Sequence, residues 1–82
     1  MEDEIFKLMM ELKRISHADT TSIIWTTNGL KKLPIMNFFY PSIHAMVSFK
    51  LKDVTLSLKK NGYERTINIL NCEINRILRN FL

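Results

Sequence analysis

The chain is predicted to be an α+β domain: an N-terminal helix, a three- to four-stranded antiparallel sheet and a C-terminal helix, both helices on one sheet face. Three observations predict it. Large apolar residues recur at intervals of three and four near each end of the chain. A run of β-branched and aromatic residues occupies positions 20–27, and an Asn-Gly pair follows it at once. An all-α arrangement of four helices is the alternative that residues 45–60 keep open.

The first helix is expected over residues 2–16. Ile5, Leu8, Met9, Leu12 and Ile15 share a face, with Glu4, Lys7, Glu11 and Arg14 opposite. Phe6 and Met10 widen the apolar side, which implies contact in more than one direction. Acids at the start and Lys13, Arg14 and His17 at the end suit the helix dipole. Thr20 to Thr27 then favours a pleated strand. Asn28-Gly29 as a two-residue loop would set Ile24 against Leu33 and Trp25 against Lys32. Residues 34–44, bracketed by Pro34 and Pro41, read as irregular with one helical turn.

Residues 45–60 fit two patterns. As strands, Val47, Phe49 and Leu51 alternate with polar residues, then Val54, Leu56 and Leu58 do so after a slip at Asp53. As a helix, Ile43, Met46, Val47, Leu51, Val54 and Leu58 line up, but Phe49 and Leu56 fall on the polar side. The strands leave fewer residues misplaced and are preferred. The last helix is expected from Tyr63, with Tyr63, Ile67, Leu70, Ile74, Ile77, Leu78 and Phe81 as one stripe. Asn61 and Glu64 have capping-box spacing. If Asn61-Gly62 were instead a hairpin turn, that helix would begin near Leu70.

Eighty-two residues make a single domain, residues 1–82, near the lower size for folding alone. Half apolar and a quarter charged, the composition is that of a globular chain rather than a disordered one. Cys72 is the only cysteine, so no internal disulfide or paired-cysteine metal motif can form. The acidic start Met-Glu-Asp-Glu is unlike a targeting segment, and the uncharged run 33–49 is too short and polar for a membrane span. The expected location is the cytoplasm, away from membranes.

Reactive groups are too sparse to suggest an enzyme. The acids are scattered, and two glycines cannot form a phosphate-binding loop. Cys72 reads as a small, partly buried packing residue, His44 as a hydrogen-bonded structural side chain, and His17 as a helix-end cation. No catalytic residue, cofactor, metal or small-molecule substrate is expected.

A net charge of +4 leans towards polyanions. Lys31-Lys32 and Lys59-Lys60 flank the two Asn-Gly pairs, and alternate turns of a meander lie at one end of a sheet. Those four lysines would then form one patch, extended by Lys50 and Lys52, able to follow a phosphate backbone. Trp25, Phe38, Phe39 or Tyr40 would stack on bases where exposed. The plainer role for hairpin lysines is to keep strand edges from aggregating. The leading expectation is a non-catalytic nucleic-acid-binding module.

The second expectation is a protein-interaction module, a homodimeric adaptor or an inhibitor of a larger protein, using the aromatic belt. Met36, Phe38, Phe39, Tyr40 and Ile43 would form that interface, unless they are the domain's own core. The order helix, three strands, helix is similar to that of double-stranded-RNA-binding domains. Their lysine-rich start to the final helix is missing here, where Tyr63 to Ile74 carries only Arg65.

Overall fold

The structure, a computed structural model, describes residues 2–81, with the side chains of Glu2 and Asn28 left out of the description. Its order is α1 (Glu2–Ile15), β1 (Thr20–Asn28), β2 (Lys31–Tyr40), a 3-10 turn (Pro41–Ile43), β3 (Ala45–Lys50), α2 (Leu51–Asn61) and α3 (Tyr63–Arg79). The fold is α+β, with three antiparallel strands in the order β1-β2-β3. It has one helix more at the C-terminal side than the sequence pattern predicts.

Helix α1 forms as its spacing requires: Ile5, Leu8, Met9 and Leu12 are buried, while Phe6 and Met10 stay exposed rather than making a second contact. It ends in a Schellman arrangement, with the Ala18 N–H donating to the Lys13 carbonyl at 3.1 Å and the His17 N–H to that of Arg14 at 3.4 Å. His17 takes the left-handed position of that cap, at φ 61°, where glycine is usual.

The β1–β2 hairpin is two residues out from the expected register. Asn28 pairs with Lys31, so the loop is Gly29-Leu30; Ile24 lies opposite Ile35 and Trp25 opposite Pro34. Gly29, at φ +67°, holds the first loop position, which needs positive φ when glycine leads the turn. A two-residue shift leaves every side chain on its original face. Residues 34–40, expected to be irregular, continue β2 instead. Pro34 is accommodated because β3 begins pairing only at Ile35, so the sheet is two-stranded at the proline. The single helical turn falls at Pro41–Ile43.

Both readings of residues 45–60 are half right. Ala45–Lys50 is strand, which keeps Phe49 against Phe38 at a ring-centroid distance of 6.1 Å. Leu51–Asn61 is helix, not the second strand preferred from the sequence. Val54 and Leu58, four apart, are buried, and Leu56 is left 55% exposed. Helix wins because two deeply buried anchors at helical spacing outweigh one exposed leucine. Asn61 does not cap α3; its amide donates back to Ser57 Oγ at 3.2 Å. Gly62 makes the corner between the helices at φ 83°, ψ 173°. Its carbonyl accepts the Thr66 N–H at 3.1 Å, so α3 starts at Tyr63, as its stripe predicts.

The core lies between one sheet face and the three helices. Met36, Phe38, Tyr40, Ala45 and Val47 supply the sheet side; Leu8, Leu12, Val54, Leu58, Ile67, Leu70 and Ile74 supply the helices. Two polar contacts brace the packing, the first joining β2 to the residue after α1 and the second joining α2 to α3. Tyr40 Oη donates to Ser16 Oγ at 2.8 Å, and the Ser57 and Thr66 hydroxyls bond at 3.0 Å. Lys7 sits over the Tyr63 ring, 5.2 Å from its centre, joining α1 to α3.

Candidate nucleic-acid interface

Strand alternation decides which side chains can reach a partner. Residues 36, 38 and 40 of β2 point into the helices, so 31, 33, 35, 37 and 39 point away from them. Pairing brings Ser22, Ile24 and Thr26 of β1 and Met46, Ser48 and Lys50 of β3 to that same outer face. Among the described residues no helix covers it: Ile24, Met46, Ser48 and Lys50 are exposed, and Leu33, Ile35 and Phe39 are half-buried.

From Thr20 to Lys52 the chain holds no Asp or Glu, and its charged residues are Lys31, Lys32, Lys50 and Lys52. The sheet is therefore the cationic part of the molecule. Lys31 and Lys50 both rise from the outer face. Lys50 is opposite Ile35, four residues or about 13 Å along β2 from Lys31. Lys32 points to the helix side and lines a shallow recess with Trp25 and Thr27. Among the described residues the ion pairs are Arg14 with Glu11 and Arg76 with Glu73, both on helices. The sheet lysines keep their charge uncompensated.

The expected gathering of four lysines does not follow from this fold. Lys59 and Lys60 occupy the last turn of α2, and the turn after them joins two helices rather than two strands. Lys52 lies in the first turn of α2 and is exposed. Of the aromatic belt, Met36, Phe38 and Tyr40 are buried in the chain's own core. Phe39 and Ile43 stay half-buried, and Phe39 is the belt residue on the outer face.

At the centre of that face Asn37 is fully buried between Ser22 and Ser48. It accepts from Ser48 Oγ at 2.6 Å, while its Nδ2 has no partner among the described residues. Sequence reading passed over this residue because a lone Asn in an aromatic segment carries no signal by itself.

The reactive groups lie apart. Cys72 is exposed on α3, not packed beside the stripe. His44 is exposed too; its structural part is played by the backbone, which ends the 3-10 turn at φ 53°. Among the described residues no three His, Cys, Asp or Glu side chains are grouped to hold a metal ion, and no helix is long and apolar enough to cross a membrane. The ionisable groups that do shift have local causes. Burial raises the Tyr40 phenol against the hydrogen bond with Ser16. Burial raises Tyr63 as well, with the Glu11 and Glu4 carboxylates adding to it. The hydrogen bond from Arg76 lowers the Glu73 carboxyl.

No protein-family model, curated protein or solved structure matches the chain.

Proposed function

We propose that the chain is a non-catalytic module that binds nucleic acid on the open face of its sheet. One observation carries this: a sheet face left bare by the helices has Lys31 and Lys50 on it and no carboxylate anywhere from Thr20 to Lys52. Lys31 and Lys50 contact phosphates, Lys32 and Lys52 add charge at the margin, and Phe39 offers a partly exposed ring for a base. Hydroxyls of Ser22 and Ser48 supply adaptable hydrogen bonds to the sugar-phosphate chain.

Fluorescence anisotropy with mixed-sequence DNA and RNA oligonucleotides, single-stranded and duplex, tests it at two salt concentrations. Binding weakens steeply with salt, and Lys31→Ala with Lys50→Ala lowers the log–log slope by about 1.5, or 0.7 to 0.9 per contact. Lys59→Glu with Lys60→Glu leaves most of the affinity. Absence of binding at low salt, or equal loss from the two pairs of changes, sinks the proposal.

A further inference from the structure

Among the described residues strand β1 is an outer strand of the sheet, with β2 on one side and no strand on the other. Natural edge strands carry a lysine, a proline, a bulge or a cover that prevents pairing with another chain. Strand β3, at the opposite edge, is short, ends in Lys50 and turns straight into α2. Strand β1 has none of these devices. It is nine residues long, contains no charge and no proline, and pairs with β2 without a bulge.

Its sequence is also matched to itself. Around Ile24, position by position outward, stand Ile23 and Trp25, Ser22 and Thr26, then Thr21 and Thr27. We propose that two copies of this chain join through β1, antiparallel and with the twofold axis at Ile24, to form one six-stranded sheet. Such an axis places Ile24 opposite the partner copy's Ile24 on the outer face. On the helix side it places Trp25 opposite Ile23 twice. Serine then faces threonine, and threonine faces threonine. Aromatic–β-branched and hydroxyl pairs are favourable cross-strand partners, and no like charges meet.

The exposed side chains fit that arrangement. Trp25 is 66% exposed, Ile24 44% and Ile23 37%, adjacent on a strand and without cover in the single chain. Beside Ile23 lies a groove lined by Asp3, Ile5, Phe6 and Leu51, with Phe6 itself exposed. The indole of the second copy, set against Ile23, borders that groove and covers Phe6. A twofold interface requires one patch to complement itself, and β1 does so in its residue pattern. The pairing does not depend on nucleic-acid binding, and it leaves Lys31 and Lys50 of each copy free on that copy's own half of the joined sheet.

Sedimentation velocity over a wide concentration range, without nucleic acid, tests the pairing. A monomer–dimer equilibrium is expected, with the emission of Trp25, the chain's single tryptophan, shifting to the blue as dimer forms. Ile24→Lys sets two ammonium groups face to face and weakens association by about tenfold or more, with circular dichroism verifying its fold. A second measurement fixes the register in a Cys72→Ser background. Opposed Cα atoms across the axis are within disulfide reach, so Ile24→Cys cross-links on mild oxidation. Ser22→Cys does not, because its two copies lie about 13 Å apart. A monomer at every concentration, a dimer indifferent to Ile24→Lys, or cross-linking at position 22 overturns the proposal. The first of these would leave the edge to a different partner.

Discussion

Among the described residues two that are not glycine take a positive φ, and both are histidines, His17 at φ 61° and His44 at φ 53°. Neither position is explained by the imidazole. Each marks the end of a helical segment where glycine would be unstrained. Replacing His17 by Gly is expected to leave stability unchanged or raise it by up to about 1 kcal/mol, read from the urea midpoint. Asn37 follows the same logic of unsatisfied geometry. Its buried Nδ2 lacks a partner among the described residues, so Asn37→Val removes a desolvated donor and supplies a β-branched side chain. The melting temperature should hold or rise, and a fall of several degrees overturns this reading of the amide. Tyr40 belongs to a third kind. Its phenol and that of Tyr63 are raised, so the folded state holds both protons more tightly than the unfolded chain. The stability from these shifts is complete below the ordinary phenol value near 10 and is lost as pH rises through the folded values. Unfolding midpoints should therefore fall above about pH 10, and Tyr40→Phe with Tyr63→Phe should flatten that limb. At neutral pH Tyr40→Phe alone should cost about 1 kcal/mol for the lost bond to Ser16.

At the scale of elements, the informative boundary is the corner at Gly62. With φ 83° and ψ 173° it occupies backbone space that is nearly reserved for glycine. A Cβ there meets nothing within 4 Å, so the cost of Gly62→Ala is backbone strain alone, about 1–3 kcal/mol. The same change in a helix interior would stabilise, and thermal unfolding separates the two signs. Helices α1 and α3 were legible because their stripes repeat over several turns and because burial later fell on those residues: Leu8, Leu12 and Ile74 are fully buried. Residues 45–61 were not legible as one element because they are two. Six residues alternate in a strand before Leu51, and the helical spacing of Val54 and Leu58 begins after it. A pattern scored across the junction finds a fault at Asp53, where a strand-only reading needs a bulge. The hairpin register was missed for a different reason. Asn-Gly names a turn but does not say which loop position glycine takes.

For the whole molecule, the three helices on one sheet face decide what is available outside. Covering Met36, Phe38 and Val47 takes all of them, and the opposite face stays open. In a domain this small, about 0.05–0.15 kcal/mol per residue is all the net stability there is. Leu8→Ala, at a site with no exposure, should cost about 2–5 kcal/mol and bring the chain close to unfolding in a denaturant titration. The sequence by itself determined the α+β class, the strand–turn–strand as far as residue 33, and both terminal helices, because apolar periodicity is a local property that survives into the fold. It also carried the absence of acid between Thr20 and Lys52. Only the tertiary structure decided which lysines share a surface, that three of the five belt residues are core, and that β1 is an open edge. Those depend on which face the helices choose and on where β3 gives way to α2. Both choices are settled by burial between segments distant in the chain, a term no single window of residues contains.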